Sequence, residues 1–173
     1  MPSRSVLVLT GPPAVGKSTT GRAVARGRER CAFIDVDDVR QLVVSGGAAP
    51  WDGDEGLRQQ RLGARNACTL ARSFHEAGVE VVVADVLTPE TLAICRELLP
   101  GCLVVHLTLP LDDARRRAAS RPVWLTDEEF TDLHQTDAAT DLAADHRLDV
   151  RSLSADEQAA AVERLWRESS ARH

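Results

Sequence analysis

The stretch that decides the fold reads Gly11-Pro12-Pro13-Ala14-Val15-Gly16-Lys17-Ser18 and is followed by Thr19. It fits the pattern G-x-x-x-x-G-K-S/T, in which backbone N–H groups cradle phosphate oxygens while the lysine reaches the outer phosphates. An apolar run at 5–10 precedes it, and a segment with helical spacing follows it at 17–28. Because the motif requires this strand–loop–helix context, we expect residues 11–19 to bind a nucleotide.

The choice of nucleotide follows from lysine usage. Lysine occurs once in the chain, at Lys17, and every other basic side chain apart from histidine is an arginine. Guanine-specific domains of this class read the base with an N-K-x-D motif, which would need a second lysine. We therefore expect ATP, with the Ser18 hydroxyl as a ligand of the accompanying Mg²⁺.

Short apolar runs alternate with helical patterns along the rest of the chain. After the first strand, such runs occur at 31–36, 79–84, 102–109 and, more weakly, 147–151. Strands that alternate with helices favour an α/β fold, in which a parallel sheet is covered by helices on both faces. We predict one domain spanning 1–173, with its ligands at the carboxyl ends of the strands.

Asp37 follows the second predicted strand and is the leading candidate for a general base. A carboxylate beside the phosphate loop can accept the proton of a substrate hydroxyl. The alternative is that Asp37 caps the next helix, in which case Asp35 or Asp38 would be the base. Arg40 lies three residues on, and it either steadies the substrate or the transferred phosphoryl group or is a solvated surface arginine.

Two further residues are candidates for contact with the acceptor. Asp85 ends the strand VEVVVAD, where a carboxylate can hold Mg²⁺ or bind the substrate, or can merely cap the next turn. Trp51 lies in a Gly-, Asp- and Pro-rich stretch at 46–56, which we predict to be a loop. Its ring either forms a wall of the acceptor site or is tucked into the core.

Arg117 and Arg121 lie four residues apart on one face of a predicted helix just after the fourth strand. Positive charge that closes over the γ-phosphate favours phosphoryl transfer, so these arginines are candidates for a short lid within about 111–145. A solvated basic face would have the same sequence pattern.

Composition excludes several other classes of function. The chain has 173 residues, a net charge of −5, 3% aromatic residues and no tyrosine, which argues against a nucleic-acid groove. No apolar run approaches the roughly 18 residues of a membrane helix. We expect a cytoplasmic protein, a monomer or a homodimer, that acts on a small molecule.

Taken together, four segments resemble the small P-loop kinases of the shikimate and gluconate kinase type. They read GPPAVGKST, FIDVDDVR, AGVEVVVADV and LPLDDARRRAASR. Among these kinases the chain looks closest to the chloramphenicol phosphotransferase-like and zeta-toxin-like group. The resemblance implies a three-layer P-loop NTPase fold with five parallel strands in the order 2-3-1-4-5.

The resemblance also implies the chemistry of the site. Asp37 would act on the acceptor hydroxyl, and Arg117 and Arg121 would close over the phosphates of Mg-ATP. The stretch Asp37-Asp38-Val39-Arg40 is similar to the D-D-x-R of polynucleotide kinases, where the first acid is the base and the arginine supports it.

The leading functional hypothesis is therefore ATP-dependent phosphorylation of a small-molecule hydroxyl, with an antibiotic or secondary metabolite as a candidate acceptor. The alternatives are a zeta-toxin-like, nucleotide-sugar or 5′-hydroxyl polynucleotide kinase, and a nucleotide-dependent switch that transfers no phosphate.

Overall fold

In the computed structural model, which describes residues 6–120 and 124–171, a single parallel sheet organises the chain. Its five strands pair in the order β2-β3-β1-β4-β5, and every neighbouring pair is parallel. The predicted strand order is thereby confirmed. The strands are β1 Val6–Thr10, β2 Cys31–Asp35, β3 Glu80–Ala84, β4 Leu103–Thr108 and β5 His146–Asp149.

The described residues form seven helices, of which six lie between strands and one follows the last strand. Thr88, Thr126 and Ser154 each cap a helix start with a reciprocal capping box. The helices are α1 Lys17–Arg26, α2 Val36–Arg40, α3 Gly53–Glu76, α4 Pro89–Leu98, α5 Leu111–Ala118, α6 Asp127–Ala139 and α7 Ala155–Ser170.

The alternation of side chains along β1 explains the three layers. Val6 and Val8 face a core cluster that includes residues of α3 and α4, whereas Leu7 and Leu9 face a second cluster that includes residues of α1 and α7. Because all four side chains are buried, the central strand is apolar on both faces, as parallel sheets require.

Most boundaries differ by a few residues from the sequence-based expectation, and two of these differences bear on the site. The segment 46–56 is not entirely a loop, because α3 already begins at Gly53, where Asp54 and Glu55 supply acidic side chains to its first turn. The second strand ends at Asp35 rather than at 36, so Asp37 lies in the first turn of α2 and not at the end of the strand.

Within the described part of the chain, every helix is too short or too polar to cross a lipid bilayer.

Candidate active site

The loop between β1 and α1 has the backbone shape that phosphate binding needs. Gly11, Ala14 and Gly16 have positive φ values of 144°, 63° and 93°. A Cβ atom at Gly11 would lie 2.3 Å from the carbonyl oxygen of Leu107, so only glycine fits against β4 here. The loop thus curls at the amino end of α1, where unpaired N–H groups attract anions.

Lys17 lies at the mouth of this loop among several carboxylates. Its Nζ donates hydrogen bonds to the carbonyl oxygens of Gly11 at 2.7 Å and Pro12 at 3.0 Å. Burial lowers the pKa of Lys17 below its ordinary value, and four nearby carboxylates oppose that shift. These carboxylates belong to Asp37, Asp85, Asp35 and Asp137.

Asp35 is a site residue that the sequence analysis considered only as an alternative base. The Ser18 hydroxyl donates to its Oδ2 at 2.6 Å, and its Oδ1 accepts the backbone N–H of Asp37 at 3.1 Å. Asp35, and not Asp37, is thus the residue that caps α2. A hydroxyl and a carboxylate side by side are oxygen ligands of the kind that Mg²⁺ prefers.

No cluster of three or more histidine, cysteine, aspartate or glutamate side chains suited to a metal occurs among residues 6–120 and 124–171. A magnesium ion that arrives with a nucleotide needs no such cluster, because it takes most of its ligands from phosphates and water and only one or two from the protein.

Arg40 joins Asp37 to Asp85. Its Nη1 donates to Asp37 Oδ1 at 2.7 Å, and its Nη2 donates to Asp85 Oδ1 at 2.7 Å. Although burial acts to lower the pKa of Arg40, its two carboxylate partners raise it above the ordinary value. Arg40 therefore bridges two carboxylates and is not a solvated surface arginine.

The two carboxylates that Arg40 joins differ in exposure. The Asp85 side chain is 2% exposed, and burial raises its pKa to about 6. The Asp37 side chain is 74% exposed, and Arg40 holds only one of its oxygens. Asp37 can thus meet a substrate directly, whereas Asp85 contacts Arg40 and the backbone N–H of Val86.

Arg117, one of the two predicted lid arginines, contacts other residues than this cluster. Arg117, on α5, donates through Nη2 to the carbonyl oxygen of Val150 at 2.7 Å and through Nη1 to that of Val15 at 3.4 Å. Its guanidinium therefore ties the outer side of the phosphate loop to the segment that follows β5. Arg121 lies outside the described residues.

Gln158 is a residue near the phosphate loop that sequence reasoning missed. This buried side chain of α7 donates through Nε2 to the carbonyl oxygen of Val15 at 2.9 Å and supports the phosphate loop from behind. No local sequence signal marks Gln158, because its partner is 143 positions away.

Trp51 lies in the turn before α3 and is 49% exposed, so its ring is not tucked into the core.

Comparison with known proteins agrees with this architecture. The family model described as an AAA domain matches residues 7–132. A shikimate kinase of Streptomyces avermitilis is 35% identical over 122 residues, which are 68% of this chain and 67% of that protein.

Solved structures extend the likeness over the whole fold. An unliganded sugar kinase from Janibacter sp. aligns with a TM-score of 0.76 at 18% identity, covering 98% of this chain and 96% of that one. Shikimate kinase from Acinetobacter baumannii in complex with shikimate aligns with a TM-score of 0.68 at 23% identity, covering 96% and 98%. At these identities the structures show a shared fold. The family match and the curated relative go further: the chain belongs to the AAA domain family and is a P-loop kinase related to the shikimate kinases, an ATP-dependent enzyme with an alcohol group as acceptor.

Proposed function

We propose that this kinase moves the γ-phosphoryl group of ATP to a hydroxyl of a small molecule and that Asp37 takes the hydroxyl proton. The observation that carries the proposal is the environment of Asp37. Its charge opposes the lowering of the Lys17 pKa that burial causes, Arg40 fixes one of its oxygens, and the side chain is open to a ligand. A general base needs this combination of fixed position and access.

The step requires few groups. The acceptor oxygen forms a bond to the γ-phosphorus as its proton passes to Asp37, the bond from that phosphorus to the bridging oxygen breaks, and ADP leaves. Lys17 and the loop N–H groups bind the phosphates and stabilise the negative charge on them. Arg40 keeps Asp37 in place throughout.

Magnesium fits the pair formed by Ser18 and Asp35, because the two oxygens already lie 2.6 Å apart at the amino end of α1. When bound, Mg²⁺ neutralises part of the charge on the β- and γ-phosphates. Asp85, the other candidate ligand from the sequence, supports Arg40 instead.

The resemblance to chloramphenicol phosphotransferase-like proteins favours an antibiotic or secondary metabolite as the acceptor. In the first experiment, the protein receives ATP and Mg²⁺ with either hydroxylated antibiotics and metabolites or 5′-hydroxyl oligonucleotides and nucleotide-sugars. ADP formation and product mass are recorded. We expect a phosphorylated small molecule from the first pool.

The matched variants are Asp37→Asn and Asp38→Asn. Asp38 is exposed and lies 3.9 Å from Arg22, away from Arg40. We expect Asp37→Asn to lower kcat by roughly 10²- to 10⁴-fold and Asp38→Asn to leave it unchanged. Phosphate transfer only to the second pool would show that the acceptor is a nucleic-acid end or a nucleotide-sugar. ATP binding without turnover in either pool would indicate a switch protein.

A further inference from the structure

The first half of the phosphate loop is poor in backbone N–H donors. Pro12 and Pro13 have no N–H, so the donors that can face a phosphate begin at Ala14. Lys17 Nζ binds the carbonyl oxygens of Gly11 and Pro12, and the peptide planes of those carbonyls carry the two proline nitrogens. The backbone N–H groups that bind phosphate must therefore come from the peptide planes that follow.

A histidine outside the loop holds the first of these planes. The Nε2 of His134, on α6, lies 2.9 Å from the carbonyl oxygen of Pro13. Burial lowers the pKa of His134, so the ring is neutral near pH 7, and its proton is on Nε2 because a carbonyl oxygen can only accept. The ring is buried and lies against Phe130, with 4.8 Å between the ring centroids. Packing thus holds the ring in place for this bond.

A glutamine on α7 holds a second plane of the loop. The buried Gln158 donates through Nε2 to the carbonyl oxygen of Val15 at 2.9 Å, and Arg117 Nη1 lies 3.4 Å from the same oxygen. A Cβ atom at Gly16 would lie 3.0 Å from Gln158 Nε2, so the amide packs directly on the loop backbone. The Val15 carbonyl is therefore held from outside the loop, as the Pro13 carbonyl is.

Each of these bonds also fixes an N–H group. Every described peptide bond is trans, and in a planar trans peptide the C=O and the N–H of the next residue point in opposite directions. Because the Pro13 carbonyl points to α6, the Ala14 N–H points away from α6. Because the Val15 carbonyl points to α7, the Gly16 N–H points away from α7.

The conformation of the loop needs such support. Ala14 has a φ of 63° and Gly16 a φ of 93°. A positive φ is uncommon for alanine and persists only where the surroundings hold it. Glycine adopts either sign of φ, so the sequence of the loop alone leaves the plane between Val15 and Gly16 free to rotate. Both residues follow directly after a carbonyl that a side chain outside the loop holds.

We infer that His134 and Gln158 are positioning residues for phosphate binding, which turn the N–H groups of Ala14 and Gly16 toward the nucleotide. Each acts through a carbonyl of the loop rather than by touching the ligand. The inference goes beyond the proposed function, because it concerns only the binding of phosphate and involves neither Asp37 nor the acceptor. The competing explanation is that the two side chains only attach α6 and α7 to the loop.

The test measures phosphate binding by isothermal titration calorimetry. The ligands are Mg-ATP and inorganic tripolyphosphate with Mg²⁺, which has no nucleoside. His134→Leu and Gln158→Met each remove the donor and keep a side chain of similar size. We expect each to raise the Kd of both ligands about 10-fold, the lower end of what a hydrogen bond to a charged group contributes. The rise should be equal for the two ligands, because the loop N–H groups meet only phosphates.

Two further variants separate positioning from packing. His134→Gln restores an N–H donor that can reach the Pro13 carbonyl, and it should bind both ligands nearly as tightly as the unaltered protein. Gln135→Met, at the exposed neighbouring position of α6, should bind them unchanged. Thermal unfolding without ligand shows whether each variant folds.

A measurement on the unaltered protein needs no variant to fold. In the ¹H–¹⁵N spectrum, the amide protons of Ala14 and Gly16 should move downfield when tripolyphosphate with Mg²⁺ binds, because each then donates a hydrogen bond to an anion. Resonances that stay in place on binding would overturn the inference.

Two results with the variants would also overturn it. If His134→Leu and Gln158→Met fold and bind both ligands as the unaltered protein does, the two side chains only attach their helices. If they weaken the binding of Mg-ATP but not that of tripolyphosphate, they serve the nucleoside and not the phosphates. Failure of every acceptor in the first experiment would remove the proposed function and leave these binding measurements as they are.

Discussion

Asp35 and Asp37 stand two positions apart and have different surroundings. Asp35 ends β2, and its carboxylate lies beside the amino end of α1, where the Ser18 hydroxyl donates to it. The same carboxylate also accepts a hydrogen bond from the backbone N–H of Asp37. Asp37 is the second residue of α2, and Arg40 binds only one of its two carboxylate oxygens. Environment rather than residue type thus separates a candidate metal ligand from a candidate base, as it separates acid and base in many active sites.

The buried carboxyl of Asp85 should make stability depend on pH. Burial raises its pKa from 3.8 to about 6, and Arg40 offsets only part of that shift. Between these two values the folded protein keeps a proton that the unfolded chain has lost, so this group's contribution to the free energy of unfolding falls as pH rises. We expect a decline on the order of 1–3 kcal/mol from this group, measured by urea unfolding.

In the variant Asp85→Asn this part of the pH dependence should be absent, because asparagine does not titrate. Asp38→Asn, which removes an exposed carboxyl, should retain it. An identical pH profile for the unaltered protein and Asp85→Asn would contradict the assignment.

At the scale of elements, the approach of α3 to α2 fixes Arg40. A Cβ atom at Gly63 of α3 would lie 2.8 Å from Cγ of Arg40 and 3.2 Å from its Nε. Gly63→Ala should therefore shift the guanidinium and release Asp37, although alanine favours the helix by up to about 1 kcal/mol. We expect kcat to fall about 10-fold or more while the midpoint of thermal unfolding changes little.

Gly47→Ala is the matched control, since a Cβ atom there would only touch the carbonyl oxygen of Val43 at 3.5 Å. It should retain full activity. If Gly63→Ala were as active as Gly47→Ala, the contact between α3 and Arg40 would not position the base.

At the scale of the whole molecule, local signals predicted the scaffold and long-range contacts determined the details of the site. Apolar runs and the phosphate-loop motif are each contained in a few consecutive residues, and the strand order followed from the resemblance that they support. The role of Asp35 depended on where β2 ends, a difference of one residue. The hydrogen bond from Gln158 to the carbonyl oxygen of Val15 spans 143 positions and joins α7 to the phosphate loop, so no local pattern could indicate it.

The positive charge of Lys17 should link the stability of the fold to nucleotide binding. Burial lowers the pKa of this amine, so its charged form destabilises the ATP-free fold despite the four carboxylates around it. Lys17→Met should therefore raise the midpoint of thermal unfolding without ATP. In the unaltered protein, Mg-ATP at 100 times its Kd should raise that midpoint by about 5 to 10 °C, and Lys17→Met should lose most of this rise. Arg26→Met, which removes an exposed cation from the same helix, should show the normal rise and no gain without ATP. A lower midpoint for Lys17→Met without ATP, or an undiminished response to ATP, would contradict this account of the amine.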